Sequence, residues 1–366
     1  MSNATRWYCT LESVKAAIPI LGSELDALLG SYIESASEDI EKMLEPRRFI
    51  PETGIKYYPW PQEWPQAVSY ERQGWQVLYV KHDLLAVTLL RTQAQDASPT
   101  TIASTDYYLE PVNEGPPYRY DRDGRIEIER SSDALFEAGD ESPQRSIEVT
   151  GRWGFSEDTK AAGALASAIT DAAAVSLAVT DASLIGVGDT LKIDSEALFV
   201  SGRAPLDTTA DLNDTLTAVV SDVTVTVTDG TKVKQGEVIL IESEKMFVES
   251  ISGNNLTVQR AYDKSVLAAH SGALDVYAYR TLTVVRGVNG TTAATHLTAA
   301  AIVKYAPPAD IVNYCRARAI AHHQQGRSGW TGQVGGGEGS VRINMSDLES
   351  LGKRIWVKYG PGIALA

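Results

Sequence analysis

Leu256–His270 reads LTVQRAYDKSVLAAH, and Leu282–His296 reads LTVVRGVNGTTAATH. Leucine and histidine stand equally far apart in both. The match runs without a gap from Leu256–Tyr279 to Leu282–Tyr305, at a constant offset of 26. A second pair lies upstream: VSLAVTDASLIGVGDTLKIDSEALFV (Val175–Val200) aligns with VTVTVTDGTKVKQGEVILIESEKMFV (Val223–Val248) at a constant offset of 48. Identities there include Val179/Val227, Asp181/Asp229, Gly188/Gly236, Glu196/Glu244 and Phe199/Phe247. Two different offsets exclude a plain tandem repeat. The order is outer front half, inner front half, inner back half, outer back half. An outer unit, 165–203 plus 281–306, is thus interrupted by an inner unit, 210–279, seated in the turn between its halves. Loop tips accept insertions because their ends are close and their backbone is solvated. A truncated copy beside a complete one is the alternative.

Each unit reads as β structure. VTVTV and VSLAV alternate with period two, and VILI, MFV and LTV are apolar runs bounded by Gly, Asp and Asn. SISGNN (Ser250–Asn255) carries a hairpin signal. Gly188 and Gly236, each followed by an acid, mark a turn before the central strand. The expectation is two nested small β-barrel or sandwich units of some five or six short strands each. Alternation places Asp194 with Glu196, and Glu242 with Glu244, on one face of a strand. A calcium site there would need a further oxygen-rich loop. One histidine per unit, His270 and His296, indicates a structural role such as a hydrogen bond across a loop.

The chain has 366 residues, enough for two or three domains, and an ordinary globular composition. No uncharged apolar run reaches the ~20 residues of a membrane span. The N-terminal MSNATRWYCTLES lacks the basic and apolar regions of a signal peptide, so assembly inside a cell is expected. Cys9 and Cys315 lie far apart in sequence and indicate neither a disulfide framework nor a metal cluster. The net charge of −14 divides as −11 over 1–160, −6 over 161–305 and +3 over 306–366. An acidic body argues against tight DNA binding, which needs several cations on phosphates. The basic C-terminal part suits docking on something acidic, though solvated charged faces would look the same.

Outside the nested units, Ser23 precedes an amphipathic helix that Pro46 stops. Leu25, Leu29, Ile33, Ala36 and Ile40 lie on one face, with Glu34, Glu38 and Glu41 on the other. A shorter helix starts near Thr10 and ends before Pro19. Apolar runs of β character follow at Val77–Val80, Leu84–Leu90, Asp106–Pro111, Arg125–Glu129 and Arg145–Phe155. Pro307-Pro308 opens a further helix up to Gly326. A glycine-rich loop, Gly326–Ser340, and a final helix through Trp356 and Tyr359 close the chain.

These flanking segments resemble the head–tail connector (adaptor) proteins of long-tailed bacteriophages. The residues that carry the resemblance are TLESVKAAI…ELDALLGSYIESASEDIEKML, SIEVTGRWGFS, and the helix, Gly-rich loop and helix ending IWVKYG. The resemblance covers 1–160 and 306–366 and implies an α+β fold: a helical connector core with a β extension, here interrupted by the nested β units. The expected domains are 1–160 (core helices plus β extension), 161–306 (inserted β region) and 307–366 (C-terminal helices completing the core). It further implies a ring, usually of twelve copies, between the portal and a neck, stopper or tail-completion protein, with DNA passing through. An acidic N-terminal region fits such a conduit, since repulsion prevents the genome from sticking. The residues expected to dock on the portal are Arg316, Arg318, Arg327, Arg342, Lys353, Arg354 and Lys358, with Trp330 and Trp356 as anchors.

No catalytic constellation stands out. His322-His323 are adjacent, so they point apart on a helix and cannot pair on a metal as i, i+4 histidines do. The glycine-rich loop lacks the GK[ST] ending of a phosphate cradle, and no G-x-S-x-G elbow occurs. The expectation is a structural virion protein, not an enzyme, without cofactor or metal and without membrane contact, assembled in the host cytoplasm and located at the head–tail interface. The alternative is a virion-surface binding module whose β units recognise host glycan or another capsid or tail protein.

Overall fold

The computed structural model describes residues 6–18, 20–62, 76–140, 142–327, 333–334, 341–342 and 345–360. Among the described residues strands hold 36% against 21% in helices, and the strands form several antiparallel sheets. The expected α+β fold built on a helical connector core is therefore overturned, since no such core is evident. The physical reason lies in where the helices go. They are α1 (Leu11–Ala17), α2 (Asp26–Met43), α3 (Ala309–Arg327) and α4 (Met345–Tyr359). The chain divides into two compact units, Asp39–Asp158 with Gly352–Ala366, and Met1–Glu38 with Thr159–Leu351. The division cuts through α2 and α4, so the four helices are shared out between two β-rich bodies.

The unit containing residues 39–158 has two sheets. One orders β1 (Glu52–Tyr58), β7 (Ile147–Trp153), β3 (Leu84–Thr92) and β4 (Thr100–Ile102), and the other β2 (Val77–Tyr79), β6 (Arg125–Ile128) and β5 (Tyr107–Glu110). Runs such as LLAVTLL and IEVTGRW form strands because β-branched and aromatic side chains suit a pleated, half-buried surface. Their inward residues Leu84, Leu90, Ile147, Val149 and Trp153 meet Leu78 and Ile126 in one apolar cluster. Beside it Arg47 is buried, bonded to Asp83 at 2.7 Å, to Asp121 at 2.9 Å and to the carbonyl of Tyr359.

In the other unit, Thr10 caps α1 by accepting from the Ser13 amide, and α3 buries Ile311, Tyr314, Cys315 and Ala319. The strands are β8 (Thr159–Ala164), β9 (Ser176–Ala178), β10 (Thr190–Ile193), β11 (Glu196–Asp211), β12 (Thr215–Leu216), β13 (Thr224–Thr226), β14 (Val238–Ile241), β15 (Glu244–Ser252), β16 (Asn255–Gln259), β17 (His270–Ser271), β18 (Asp275–Val285) and β19 (Ala301–Tyr305). A short ribbon pairs β20 (Gln333–Val334) with β21 (Val341–Arg342).

Strands β11 and β18 are long, and each serves twice. Their outer ends pair Phe199–Ala204 with Thr281–Val285, next to β10 and β9. Their inner ends pair Leu206–Asp211 with Asp275–Ala278, next to β14. A bridge between Leu165 and Val179 closes β9-β18-β11-β10-β19-β8 into an outer barrel. A bridge between Leu212 and Val227 closes β13-β16-β15-β14-β18-β11 into an inner one. Closure removes the open edges that would otherwise invite pairing with another chain.

The cores correspond position by position. Leu177, Val179, Ile185, Leu191, Ile193 and Val200 fill the outer barrel, and Val225, Val227, Val233, Ile239, Ile241 and Val248 fill the inner. Leu282 and Val284 close the first core as Leu256 and Val258 close the second. The turns correspond too. Gly188 and Gly236 have φ of 104° and 84°, a region open to glycine, and the following acids, Asp189 and Glu237, accept the amides of Gly186 and Lys234.

Candidate functional site

The most highly organised polar constellation in the described residues occurs twice, once in each barrel. In the outer barrel the hairpin Ile193–Glu196 turns at Asp194, whose φ is 52°, and the inner counterpart Glu242 has φ of 53°. The acid that opens the next strand, Glu196 or Glu244, points inward and is fully buried. Arg286 meets Glu196 through two parallel bonds of 2.6 and 2.7 Å, and Arg260 meets Glu244 at 2.7 and 2.8 Å. Such forked arginine–carboxylate pairs combine charge with fixed geometry.

The remaining lone pairs are filled by the same loop in each barrel. Glu196 accepts the amides of Gly287 and Ala294, and Glu244 those of Ala261 and Ala268. His296 lies 2.8 Å from Glu196 through Nε2 and 2.7 Å from Asp194 through Nδ1. His270 repeats this with Glu244 at 2.9 Å and Glu242 at 2.7 Å. Each ring thus sits with a carboxylate at each of its two nitrogens. The arginines finish the arrangement on backbone carbonyls. Arg286 donates to Ala174 and Ala294, and Arg260 to Thr217, Asp222 and Ala268.

Burial alone would raise the pKa of Glu196. The Arg286 and His296 hydrogen bonds and the Ala294 amide outweigh it and bring the carboxyl down to about 2. Glu244 reaches about 2 in the same way, with burial opposed by Arg260, the Ala261 amide, His270 and the Ala268 amide. Every oxygen of these carboxylates is thereby spent on internal partners. The buried glutamates can hold a hairpin to a loop, but their oxygens have no lone pair to offer a substrate. No group of three or more His, Cys, Asp or Glu among the described residues could hold a metal ion. A third ion pair joins the barrels, with Arg280 on Glu237 at 2.7 Å while the Ala182 amide donates to the same carboxylate.

The residues expected to dock on a partner are more dispersed. Arg316 is half-buried on α3 and donates to Asn313, and Arg318 sets its guanidinium 5.7 Å from the Tyr314 ring. Arg327 is exposed at the end of α3. Arg342 pairs through its backbone with Gln333, and Trp330 lies outside the described residues. Lys353, Arg354 and Lys358 are exposed on α4 around Val357, which is 78% exposed, and Trp356 is half-buried. Lys358 stands 4.7 Å above the Tyr359 ring. α4 therefore gathers three of the expected cations, whereas those of α3 belong to the other compact unit.

Sequence reading passed over Arg260 and Arg286. Both are the fifth residue of the opening repeat, LTVQR and LTVVR, so their identity at the offset of 26 was the available signal. Comparison with protein-family models, with curated proteins and with solved structures found no match. No helix among the described residues is long and apolar enough to cross a membrane.

Proposed function

We propose that this chain is a non-catalytic structural virion protein that forms an oligomeric ring between a phage portal and the neck or tail, around a DNA conduit. The observation that carries the reading is the exposed strip Lys353, Arg354, Val357 and Lys358 on α4, in a chain whose net charge is −14. Cations flanking an exposed apolar side chain suit docking on an acidic partner surface, and the acidic remainder suits passage of DNA without adhesion. Barrels whose buried glutamates, Glu196 and Glu244, are satisfied internally suit a part that must keep its shape in an assembly. The residues in named roles are Lys353, Arg354 and Lys358 as portal contacts, with assembly in the host cytoplasm. Electron microscopy of the purified protein, alone and with its portal, tests this. Rings of about twelve copies are expected, with portal binding lost in a Lys353→Glu/Arg354→Glu variant. A strictly monomeric protein indifferent to the portal would sink the proposal.

A second reading, a surface-binding module, is favoured by the tip of the inner barrel. Val219, Val220 and Val266 are 53%, 64% and 74% exposed, in two loops that Arg260 ties together through Thr217, Asp222 and Ala268. The outer barrel has Asp171, Ala172 and Thr292 at the matching positions. Removing 165–306 separates the readings: particles that still join heads to tails but lose adsorption would favour the module.

A further inference from the structure

Cys9 and Cys315 are separated by 306 positions, yet their sulfurs stand 3.5 Å apart. Cys9 is 4% exposed and Cys315 fully buried, the first in the irregular segment before α1 and the second on the inward face of α3. Ser37 of α2 lies with them, its hydroxyl 3.3 Å from the Cys315 sulfur while it accepts the Tyr8 amide and donates to the Ile33 carbonyl. Both are free thiols.

We propose that Cys9 and Cys315 form a latent disulfide site, closed by small-molecule disulfides, that staples the N-terminal segment to α3. The sulfurs must approach by about 1.5 Å from their 3.5 Å separation to reach the ~2.05 Å bond length, a movement of the size that side-chain rotation gives. The microenvironment selects a nucleophile. The Cys9 hydrogen bond lowers the Cys315 pKa against the opposing effect of burial, with help from Ser37, while the same contact pushes Cys9 up. Cys315 is thus the sulfur that holds a negative charge first.

The step balances as thiol–disulfide exchange. The Cys315 thiolate attacks one sulfur of the small disulfide and expels the other as a thiolate. Cys9 then loses its proton and attacks the Cys315 sulfur, releasing the second small thiol. Two protein thiols are oxidised and one small disulfide is reduced to two thiols. Access comes through the Cys9 side. Residues 6–10 form no helix or strand, and their ties include Arg6 to Asn289, the Tyr8 amide to Ser37, and Trp7 edge-on to Phe199 at 5.5 Å. The pairing does not depend on the proposed function. Under that function, though, a particle assembled among reducing thiols would meet the oxidant only after leaving the host.

The test uses the full-length protein, incubated with oxidised or reduced glutathione, denatured, and labelled with a maleimide. The expected result is two labels per chain after the reduced treatment and none after the oxidised one, with the intact mass lower by two hydrogens and no glutathione adduct. The thermal midpoint should rise on oxidation and return with dithiothreitol, a shift absent from Cys9→Ser and from Cys315→Ser. Two labels surviving oxidation, a retained glutathione adduct, or disulfide-linked dimers would each overturn the proposal. Ring formation by electron microscopy is scored separately, so loss of one conclusion leaves the other standing.

Discussion

The two barrels solve one packing problem with the same residues but over very different lengths of chain. In the inner barrel the lock joins Glu244 to Arg260, 16 positions apart. In the outer barrel it joins Glu196 to Arg286, 90 positions apart, because the whole inner barrel lies between them. The geometry is nevertheless the same to within about a tenth of an ångström at most contacts, as the paired distances show. The lesson is that the local surroundings of a buried charge, not its separation along the chain, set its bonding. Separation along the chain governs only what else fails when the lock is broken.

Removing an arginine should have the largest effect. Arg286→Met and Arg260→Met each leave a buried carboxylate without its partner, at a cost of about 3–5 kcal/mol in denaturant unfolding. Hydrogen exchange should separate them. The inner variant should lose protection within 212–276, while the outer variant also loosens β11 and β18, which both barrels share. Identical exchange patterns in the two variants would break the comparison.

Acid should act next. Glu196 and Glu244 are held near 2 against an ordinary 4.5, so the folded form binds fewer protons than the unfolded chain between those values. The stabilisation is present above about pH 4.5 and is lost as pH falls towards 2, at about 3 kcal/mol for each carboxylate. Urea midpoints taken from pH 5 down to pH 2 should fall accordingly. Glu196→Gln and Glu244→Gln should each remove about half of that slope; a slope carried by one glutamate alone would show the locks to be unequal.

The histidines come third. His296→Gln and His270→Gln cannot span both carboxylates as the ring does, for about 2 kcal/mol each. The smallest effect belongs to the hairpin tips. Asp194 and Glu242 are 68% and 56% exposed at the side chain, and solvent screens them, so Asp194→Asn and Glu242→Gln should cost under about 1 kcal/mol. A tip variant as damaging as its histidine variant would place the strength of the lock at the surface instead of in the core.

How much of this was legible follows from what periodicity can and cannot carry. Alternation in VSLAV and VTVTV marks which side of a strand is buried, and equal offsets carry that marking from Leu177 to Val225 and from Ile193 to Ile241. It does not mark partners. Strand alternation puts Glu196 and Glu244 on a strand face, but nothing local marks Arg260 and Arg286 as their partners, because a charged side chain is usually solvated. The contact between Cys9 and Cys315 depends on the path of the intervening chain, which no local pattern encodes. The helical core failed for a related reason. The apolar stripes of α2 and α4 say that each helix packs against something, and in this chain each divides its length between two compact β-rich units.

The shared strands also determine how the molecule would respond to mechanical load. Both connections to the inner barrel leave the outer one side by side, where Ala204 pairs with Thr281. Along the backbone, tension applied between the ends of the chain reaches the inner barrel only after the outer rungs have peeled, from Phe199 against Val285 inward. The inner barrel's shorter tie to the N-terminal segment runs through side chains, with Lys15 and the Gly22 amide on Asp263 and Lys264 on Glu24, so these bonds would take load before the shared strands part.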